Sequence, residues 1–361
     1  MRHESLINED WDWTVERLGG ADSLSASARA SGAFLRARAV RSPIDLLRLT
    51  LAYCVGHVGL RATSAWAQAM GVAALSDVAL LERLRKTGGW LSSLIARLLD
   101  HGRPETAKGR LIRILDASSV AKAGAQAKRN NSLWRIHSAF ALPSEQFDFL
   151  ELTDEHGGER IDRVPVVPGE IRIGDRGYLQ ADRIGEVLAQ GADVLVRASW
   201  RQARWLDESA KPLDLLAALR KAGQSGFVDQ PIWLGRKSGL PLALRLVALR
   251  KPAAAAAEAR RKARRYAQRE GHQLSAGTLA AADWVILITS LSSETFSTED
   301  IFKLYRMRWR IELAFKRLKS LIGLRSPPAR DPRLAKPWLL SHLLMILLVE
   351  PLVDEFGVSP S

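Results

Sequence analysis

The sequence is poor in cysteine, and it contains no apolar run long enough for a membrane span. Its single cysteine, Cys54, excludes an intrachain disulfide and a zinc site built from cysteines. The N-terminus lacks the apolar stretch of a signal peptide. The longest apolar segment, residues 338–353, contains Ser341, His342 and Glu350 and is shorter than the ~20 residues that a membrane span needs. We therefore expect a cytoplasmic protein without a membrane partner, and we interpret residues 338–353 as a buried helix.

Negative charge is also in short supply. The chain of 361 residues has 53 Lys and Arg against 39 Asp and Glu, which gives a formal net charge of +14. Such an excess indicates a polyanionic partner, above all nucleic acid, although a merely basic soluble protein is the simpler alternative. Residues 250–269 hold eight basic side chains, and Pro252 followed by five alanines predicts a basic helix there. This helix could contact nucleic acid or could be an ordinary solvated face.

Residues 1–105 have the pattern of a helical N-terminal domain. Ser42 and Pro43 predict a helix start, because a hydroxyl cap is followed by proline at the first helical position. Residues 61–70 and 76–86 predict two short helices on either side of Gly71. This arrangement resembles a DNA-binding helix-turn-helix, although any helical hairpin has the same pattern. A helix-turn-helix at this place would bind DNA.

The remainder of the chain alternates predicted strands with helices. This order predicts an α/β fold with a mixed sheet flanked by helices. The expected divisions are an α/β domain, an inserted β-rich subdomain, the second part of the α/β domain and a C-terminal tail. They span residues 106–199, 200–283, 284–345 and 346–361, respectively. The predicted strands are residues 111–115, 134–142, 147–153, 171–173, 193–197, 242–249 and 284–289.

Three acids stand where a metal site could form. Asp116 follows the predicted strand 111–115, Asp175 follows the strand 171–173, and Glu312 lies on a long helix that begins at Ser297. Strand ends at one edge of a sheet are common places for catalytic groups. Three carboxylates gathered there could hold two divalent ions roughly 3.5–4 Å apart, and Mg²⁺ suits such ligands. Taken singly, each acid could equally cap a helix, form a turn or make a surface ion pair.

The predicted long helix carries a distinctive polar stripe. Tyr305, Arg308, Glu312 and Lys319 fall within an arc of about 60° on a single α-helix. Fixed cations beside a carboxylate can bind phosphate while the carboxylate binds a metal ion. The stripe therefore indicates an enzyme that acts on a nucleic-acid backbone.

These residues resemble a known family. The spacing Tyr-x2-Arg-x3-Glu-x6-Lys from Tyr305 to Lys319 and the segment Gly174-Asp-Arg-Gly-Tyr178 are similar to those of the insertion-sequence-4 class of bacterial DDE transposases. The resemblance covers about residues 40–345. It implies a ribonuclease H-like catalytic domain interrupted by the insertion, with Asp116, Asp175 and Glu312 as metal-binding catalytic acids. It also implies two Mg²⁺ ions, for which Mn²⁺ can substitute.

The resemblance implies cut-and-paste transposition, in which DNA is cleaved and joined at transposon ends. The implied partners are double-stranded DNA with terminal inverted repeats, target DNA and a second copy of the chain in the synaptic complex. By the same analogy, the helical N-terminal domain would bind the DNA ends. The expected location is the bacterial nucleoid. Two alternatives remain open: a DNA-binding derivative that no longer cleaves, and a nuclease that cuts but does not join.

The family motif also assigns DNA contacts. Tyr305, Arg308 and Lys319 would hold phosphates near the cleavage point, and Arg176 beside the second acid would contact DNA. Trp284 matches a tryptophan that stacks on a flipped base in some relatives, and Trp309 matches an aromatic residue beside the glutamate. The alternative for Trp284 is a large residue at the start of a core strand.

Overall fold

The computed structural model describes residues 11–56, 58–101, 109–123, 133–142, 144, 146–222, 225–309, 311 and 326–355. The N-terminal helices are α1 (Gly20–Ala30), α2 (Pro43–Cys54), α3 (Leu60–Ala69), α4 (Asp77–Leu84) and α5 (Gly88–His101). The predicted start of α2 is confirmed, since the Ser42 hydroxyl accepts from the Asp45 amide and the Asp45 carboxylate accepts from the Ser42 amide.

The two predicted short helices correspond to α3 and α4. Gly71 in the connection between them has φ +67°, a backbone conformation that glycine adopts without a steric cost. The Ser76 side chain then caps α4 by accepting from the Ala79 amide.

A mixed sheet occupies the centre of the protein. In the described part of the chain it has nine strands in the order β3-β2-β1-β4-β5-β9-β8-β7-β6. Its strands are β1 (Ile112–Ala121), β2 (Leu133–Leu142), β3 (Gln146–Thr153), β4 (Ile171–Gly174), β5 (Asp193–Arg197), β6 (Trp205–Leu206), β7 (Phe227–Leu234), β8 (Leu242–Arg250) and β9 (Trp284–Thr289). The β1–β4 and β4–β5 pairs are parallel and all the other pairs are antiparallel. The predicted fold class, a mixed sheet flanked by helices, is confirmed.

Alternate side chains along the strands point to opposite faces of the sheet and pack in two different hydrophobic cores. On β5, Leu195 lies in a core that includes the N-terminal helices, whereas Val194 and Val196 lie in a second core on the opposite face. On β9, Leu287 joins the first core and Ile288 joins the second. This alternation is the period of two that a strand buried on both faces requires. The N-terminal helices therefore share a core with the sheet.

The segment expected as an inserted subdomain extends the same sheet. Strands β6, β7 and β8 continue it beyond β9, and β8 pairs with β9 over residues 245–250 and 284–289. The helices that accompany this region are α6 (Ala181–Ala189), which precedes it, and α7 (Leu215–Lys221), α8 (Ala253–Arg269) and α9 (Ala276–Ala282). Helix α8 is the predicted basic helix.

The helix predicted to carry the polar stripe is interrupted. Helix α10 (Thr298–Arg306) begins with a capping box between Ser297 and Asp300, as expected, but ends before Arg308. The Met307 amide bonds to the Leu304 carbonyl and the Arg308 amide to the Tyr305 carbonyl, so tight i→i−3 bonds replace the α-helical pattern. Tyr305 and Arg308 therefore do not lie on one continuous α-helix, and the predicted helical arc is wrong between these two residues.

A long apolar helix, α11 (Pro332–Glu355), closes the described chain. It runs across the boundary expected at residues 345/346. Within the described residues it is the one helix long and apolar enough to cross a membrane, yet 72% of its apolar window is buried inside the protein. Its fully buried Leu339 and Leu344 belong to the first core. The prediction of a buried helix here is confirmed.

Candidate active site

Asp116 does not follow a strand, as the sequence suggested, but lies within one. Strand β1 continues to Ala121 because residues 112–121 all pair with β2. Its other neighbour, β4, pairs with β1 only as far as Ile114 opposite Ile173. Asp116 and Asp175 each stand two residues beyond that pair, so they lie at the same level of adjacent parallel strands. Adjacent strands are about 4.8 Å apart, which places the two aspartates side by side where β4 ends.

Asp175 also organises the turn that follows β4. Its Oδ1 accepts a hydrogen bond of 2.7 Å from the Gly177 amide, and residues 176–178 form a single 3₁₀ turn. The turn role that the sequence left open for Asp175 is therefore present. It leaves the second carboxylate oxygen outside this bond, so a turn role and a ligand role are compatible.

A third acid that the sequence did not single out lies beside these two. The pKa of Glu159 is raised by desolvation, by the nearby Asp175 carboxylate and, to a smaller extent, by Asp116. Its Oε2 occupies the space where a side chain at residue 177 would begin, so Gly177 makes room for it. The Gln180 side chain holds the backbone here by donating to the Glu159 carbonyl over 2.7 Å. No motif marks Glu159, because it stands in an irregular segment far from Asp175 in sequence.

A buried charge network lies around the start of β4, a few residues before Asp175. Glu170 accepts from Arg113 over 2.9 Å, from Arg172 over 2.6 Å and from the Val167 amide over 3.1 Å. Arg113 also pairs with Asp148 at 2.5 Å. All four charged side chains are at most 6% exposed. Two cations and two anions therefore compensate one another inside the protein, as buried charges must.

This network fastens the loop that carries Glu159. Arg172 donates to the Ile161 carbonyl over 2.6 Å and to the Pro165 carbonyl over 2.8 Å, and Arg113 donates to Pro165 over 2.9 Å. Arg172 lies on β4, three residues before the site aspartate. Strand β4 and the loop are thereby joined by buried hydrogen bonds, which fixes the acids relative to one another.

The C-terminal end of α10 comes close to the same place. The Arg308 guanidinium lies 5.9 Å from the centre of the Tyr305 ring. The pKa of Tyr305 is raised by desolvation, while the cations Arg308 and Arg197 oppose the rise and Asp175 adds to it. The first two members of the predicted stripe are therefore near Asp175. Glu312 and Lys319 lie outside the described residues; Ile311, just before Glu312, is fully buried in the first core.

The two predicted tryptophan contacts differ in exposure. Trp309 is 65% exposed, which leaves its ring available for a contact. Trp284 starts β9 as expected, but it is 7% exposed and packs in the second core. That placement corresponds to the structural role that the sequence left open for it.

A basic cavity of about 610 Å³ adjoins the site. Arg176, the residue after Asp175, lines it together with Arg197 at the end of β5 and Lys251 just after β8. Desolvation, reinforced by the nearby Arg197 and Arg176, lowers the pKa of Lys251 to about 8. Sequence reasoning missed Arg197 and included Lys251 only as one of the basic residues of segment 250–269, since only the pairing of β5, β9 and β8 brings the two together.

The described acids provide part of a metal site. Among the described residues, no group of three His, Cys, Asp or Glu is close enough to hold a metal ion. Asp116 and Asp175 nevertheless supply the carboxylate oxygens that Mg²⁺ prefers. The pKa of Glu159 is raised first by desolvation and then by the negative charges of Asp175 and Asp116, and a divalent cation would neutralise those charges. The donors present therefore fit a divalent metal ion.

Comparison with known proteins identifies a family and relatives of this chain. Residues 107–348 match the family model described as "Transposase DDE domain". The chain is 37% identical over 356 residues to the "Putative transposase InsL for insertion sequence element IS186A" of Escherichia coli K12, which covers 96% of this chain and 95% of that protein. It is also 37% identical over 357 residues to the "Transposase for insertion sequence element IS421" of Escherichia coli, with the same coverage. The matched region contains both site aspartates and Glu312.

Proposed function

Because this chain belongs to the DDE transposase family, we propose that Asp116, Asp175 and Glu312 are the three acids that hold its catalytic metal ions. The chain is a transposase that binds DNA at insertion-sequence ends and catalyses DNA cleavage and strand transfer with divalent metal ions. The observation that carries the assignment is the equal level of Asp116 and Asp175 on adjacent parallel strands. Glu312 completes the set through the Tyr-Arg-Glu-Lys spacing.

These three acids would hold two Mg²⁺ ions, for which Mn²⁺ can substitute. When bound, they would stabilise the attacking and leaving oxygens of a phosphodiester displacement. The protein itself contributes position. Buried bonds from Arg172 fix the loop against β4, and the Asp175 carboxylate is oriented by its bond to Gly177. A carboxylate held in this way loses little entropy when it binds a ligand.

Cations on the surrounding elements would hold the scissile phosphate. Arg308 beside Tyr305 reaches the site from the end of α10, and Arg176 reaches it from the turn after β4. Guanidinium groups suit this role, because their fork of donors matches two phosphate oxygens. Lys319 joins them by the family spacing, and the exposed Trp309 is available to contact DNA. Trp284 is the candidate to stack on a flipped base, and it would have to leave the second core to do so.

The DNA partners and the oligomeric state are also inferred from membership of the family. The DNA partners are the terminal inverted repeats and a target duplex, and a homodimer forms the synaptic complex. The pair α3–α4 in the N-terminal region provides a helix-turn-helix for the transposon end. These steps take place in the cytoplasm, at the nucleoid.

The test is cleavage of a duplex that carries the ends of the insertion sequence from which the gene comes. Asp175→Asn is the informative variant, because asparagine keeps an oxygen that can accept from Gly177 while the charge is lost. A metal ligand contributes several kcal/mol, so cleavage should fall on the order of 1,000-fold. Glu312→Gln should behave in the same way. The matched control, Asp154→Asn, changes an exposed turn acid that accepts from His156 and should cut normally.

Chelation of divalent ions should stop cleavage, and added Mg²⁺ or Mn²⁺ should restore it. Full cleavage by Asp175→Asn or Glu312→Gln would refute the role assigned to that acid. DNA binding by the wild-type protein without any cleavage would instead favour the derivative that no longer cuts. A strand-transfer assay with precut ends separates a transposase from a nuclease of the same fold.

A further inference from the structure

The basic cavity beside the active site is lined by cationic side chains that differ in burial. Arg197 and Lys251 are half-buried, whereas Arg176, Arg201 and Lys262 are exposed and also line the cavity. The cavity lies between the end of β5 and helix α8. Its positive side chains therefore continue from the interior to the surface.

Three cations of the cavity, the half-buried Arg197 and Lys251 and the exposed Arg176, are not paired with a carboxylate among the described residues. In the described part of the chain, Arg176, Arg197 and Lys251 form no ion pair, and the Arg197 Nε is buried without a hydrogen-bond partner. Lys251 Nζ donates to the Ala282 carbonyl over 2.6 Å. The nearby Asp283 is engaged by Arg260.

Two more deeply buried cations, Arg113 and Arg172, differ from the cavity cations because they form ion pairs. Arg113 pairs with Asp148 and Glu170, and Arg172 pairs with Glu170. Arg113 and Arg172, which support the fold, are thus compensated by carboxylates. Three neighbouring cations that repel one another are costly unless an anion joins them. Desolvation, followed by repulsion from Arg197 and Arg176, lowers the pKa of Lys251, which agrees with this cost.

We propose that this cavity is a phosphate subsite, in which Arg197 and Lys251 bind a backbone phosphodiester of a DNA strand that leaves the active site past Arg176. The inference rests on the proposed function, because it requires DNA at Asp175. Arg176 connects the two sites directly, since it is adjacent to Asp175 in sequence and lines the cavity. Lys262 on α8 and Arg201 extend the path outward.

A phosphodiester fits better than a small free anion. The cavity is open to solvent along a row of cations, and the exposed Tyr266 of α8 stands at its wall. A continuous chain of phosphates can satisfy such a row, because each phosphate meets a different cation. The strand could belong to the transposon end or to the target, which share this chemistry.

The salt dependence of DNA binding tests the proposal. Each phosphate contact contributes about 0.9 to the slope of log K against log salt concentration. Lys251→Met and Arg197→Met should each weaken binding roughly tenfold and reduce the slope by about 0.9. Lys251→Arg keeps the charge and should keep the slope. The control Lys211→Met removes an exposed lysine outside the cavity and should change neither quantity.

Binding is measured by fluorescence anisotropy with chelator present, so that cleavage does not contribute. One duplex carries an insertion-sequence end and a second carries the same bases shuffled. A lower slope on both duplexes supports a subsite shared by end and target DNA, and a lower slope on the end duplex alone supports an end-strand subsite. If the wild-type protein cleaves DNA but Lys251→Met and Arg197→Met leave the salt slope unchanged, the subsite is refuted and the proposed function stands. Failure of the wild-type protein to bind either duplex overturns the subsite and the proposed function together.

Discussion

Replacing Glu170 by glutamine should destabilise the fold more than any surface charge change. Glu170 is the central anion of the buried network and is fully buried, with three donors within 3.1 Å of its oxygens. Glutamine preserves the size and one acceptor oxygen but removes the charge. Arg113 and Arg172 would then share a single counter-charge, Asp148. Leaving one buried charge uncompensated costs about 3–5 kcal/mol.

The measurement is urea unfolding of the purified variant, followed by tryptophan fluorescence. Glu299→Gln is the matched control, because Glu299 makes an ion pair of 2.8 Å with Lys303 while its side chain is 74% exposed. Surface pairs of this kind contribute little, so the control should unfold like the wild-type protein. If Glu170→Gln unfolds at the same urea concentration as Glu299→Gln, the compensating role of the network is refuted. The same variant should also cleave DNA poorly, because Arg172 would no longer fix the loop against β4.

Two further predictions concern the loop and its pH dependence. Gly177→Ala should reduce cleavage, because the new methyl group overlaps Glu159 Oε2 and would displace that carboxylate from its place near Asp175. Gly158→Ala meets nothing within 4 Å and should cleave normally. Equal activity of the two variants would exclude a role for the close approach of Glu159 to Gly177. His137 is 3% exposed, and desolvation followed by the nearby Arg163 lowers its pKa from 6.5 to about 4. As the pH falls, the His137 imidazole is therefore protonated in the unfolded chain before it is protonated in the folded protein. The contribution of neutral His137 to the free energy of unfolding is fully present above about pH 6.5, and it falls by up to roughly 3 kcal/mol as the pH drops towards about 4. His137→Gln should flatten that part of the curve of melting temperature against pH, and an unchanged curve would assign the acid sensitivity to other groups.

Much of the local structure could be predicted from the sequence. The capping box at Ser42 and the serine before α10 mark helix starts, because their hydrogen bonds form within four residues. Strand β9 was recognisable as a run of β-branched and apolar residues. These signals are local, so they need no knowledge of the partner strands.

Features set by long-range pairing could not be predicted in this way. The extent of β1 past Asp116 depends on β2, and the polar residues Ser118 and Ser119 hide the continuing strand. The cavity cations come together only through the pairing of β5, β9 and β8. Glu159 reaches the aspartates because buried arginines hold its loop. The break in the helix after α10 gives no signal, since Met307 and its neighbours are all compatible with an α-helix.

The integration of β6–β8 into the central sheet has a consequence for engineering. Strand β9 is hydrogen-bonded on one side to β5 and on the other to β8. Removal of residues 200–283 would expose the backbone of β9 along its whole length, beside the buried Ile286 and Ile288. An uncovered apolar edge of this kind invites pairing with other molecules. A trimmed version of this protein would therefore need a replacement strand, or charged residues on β9, to remain monodisperse.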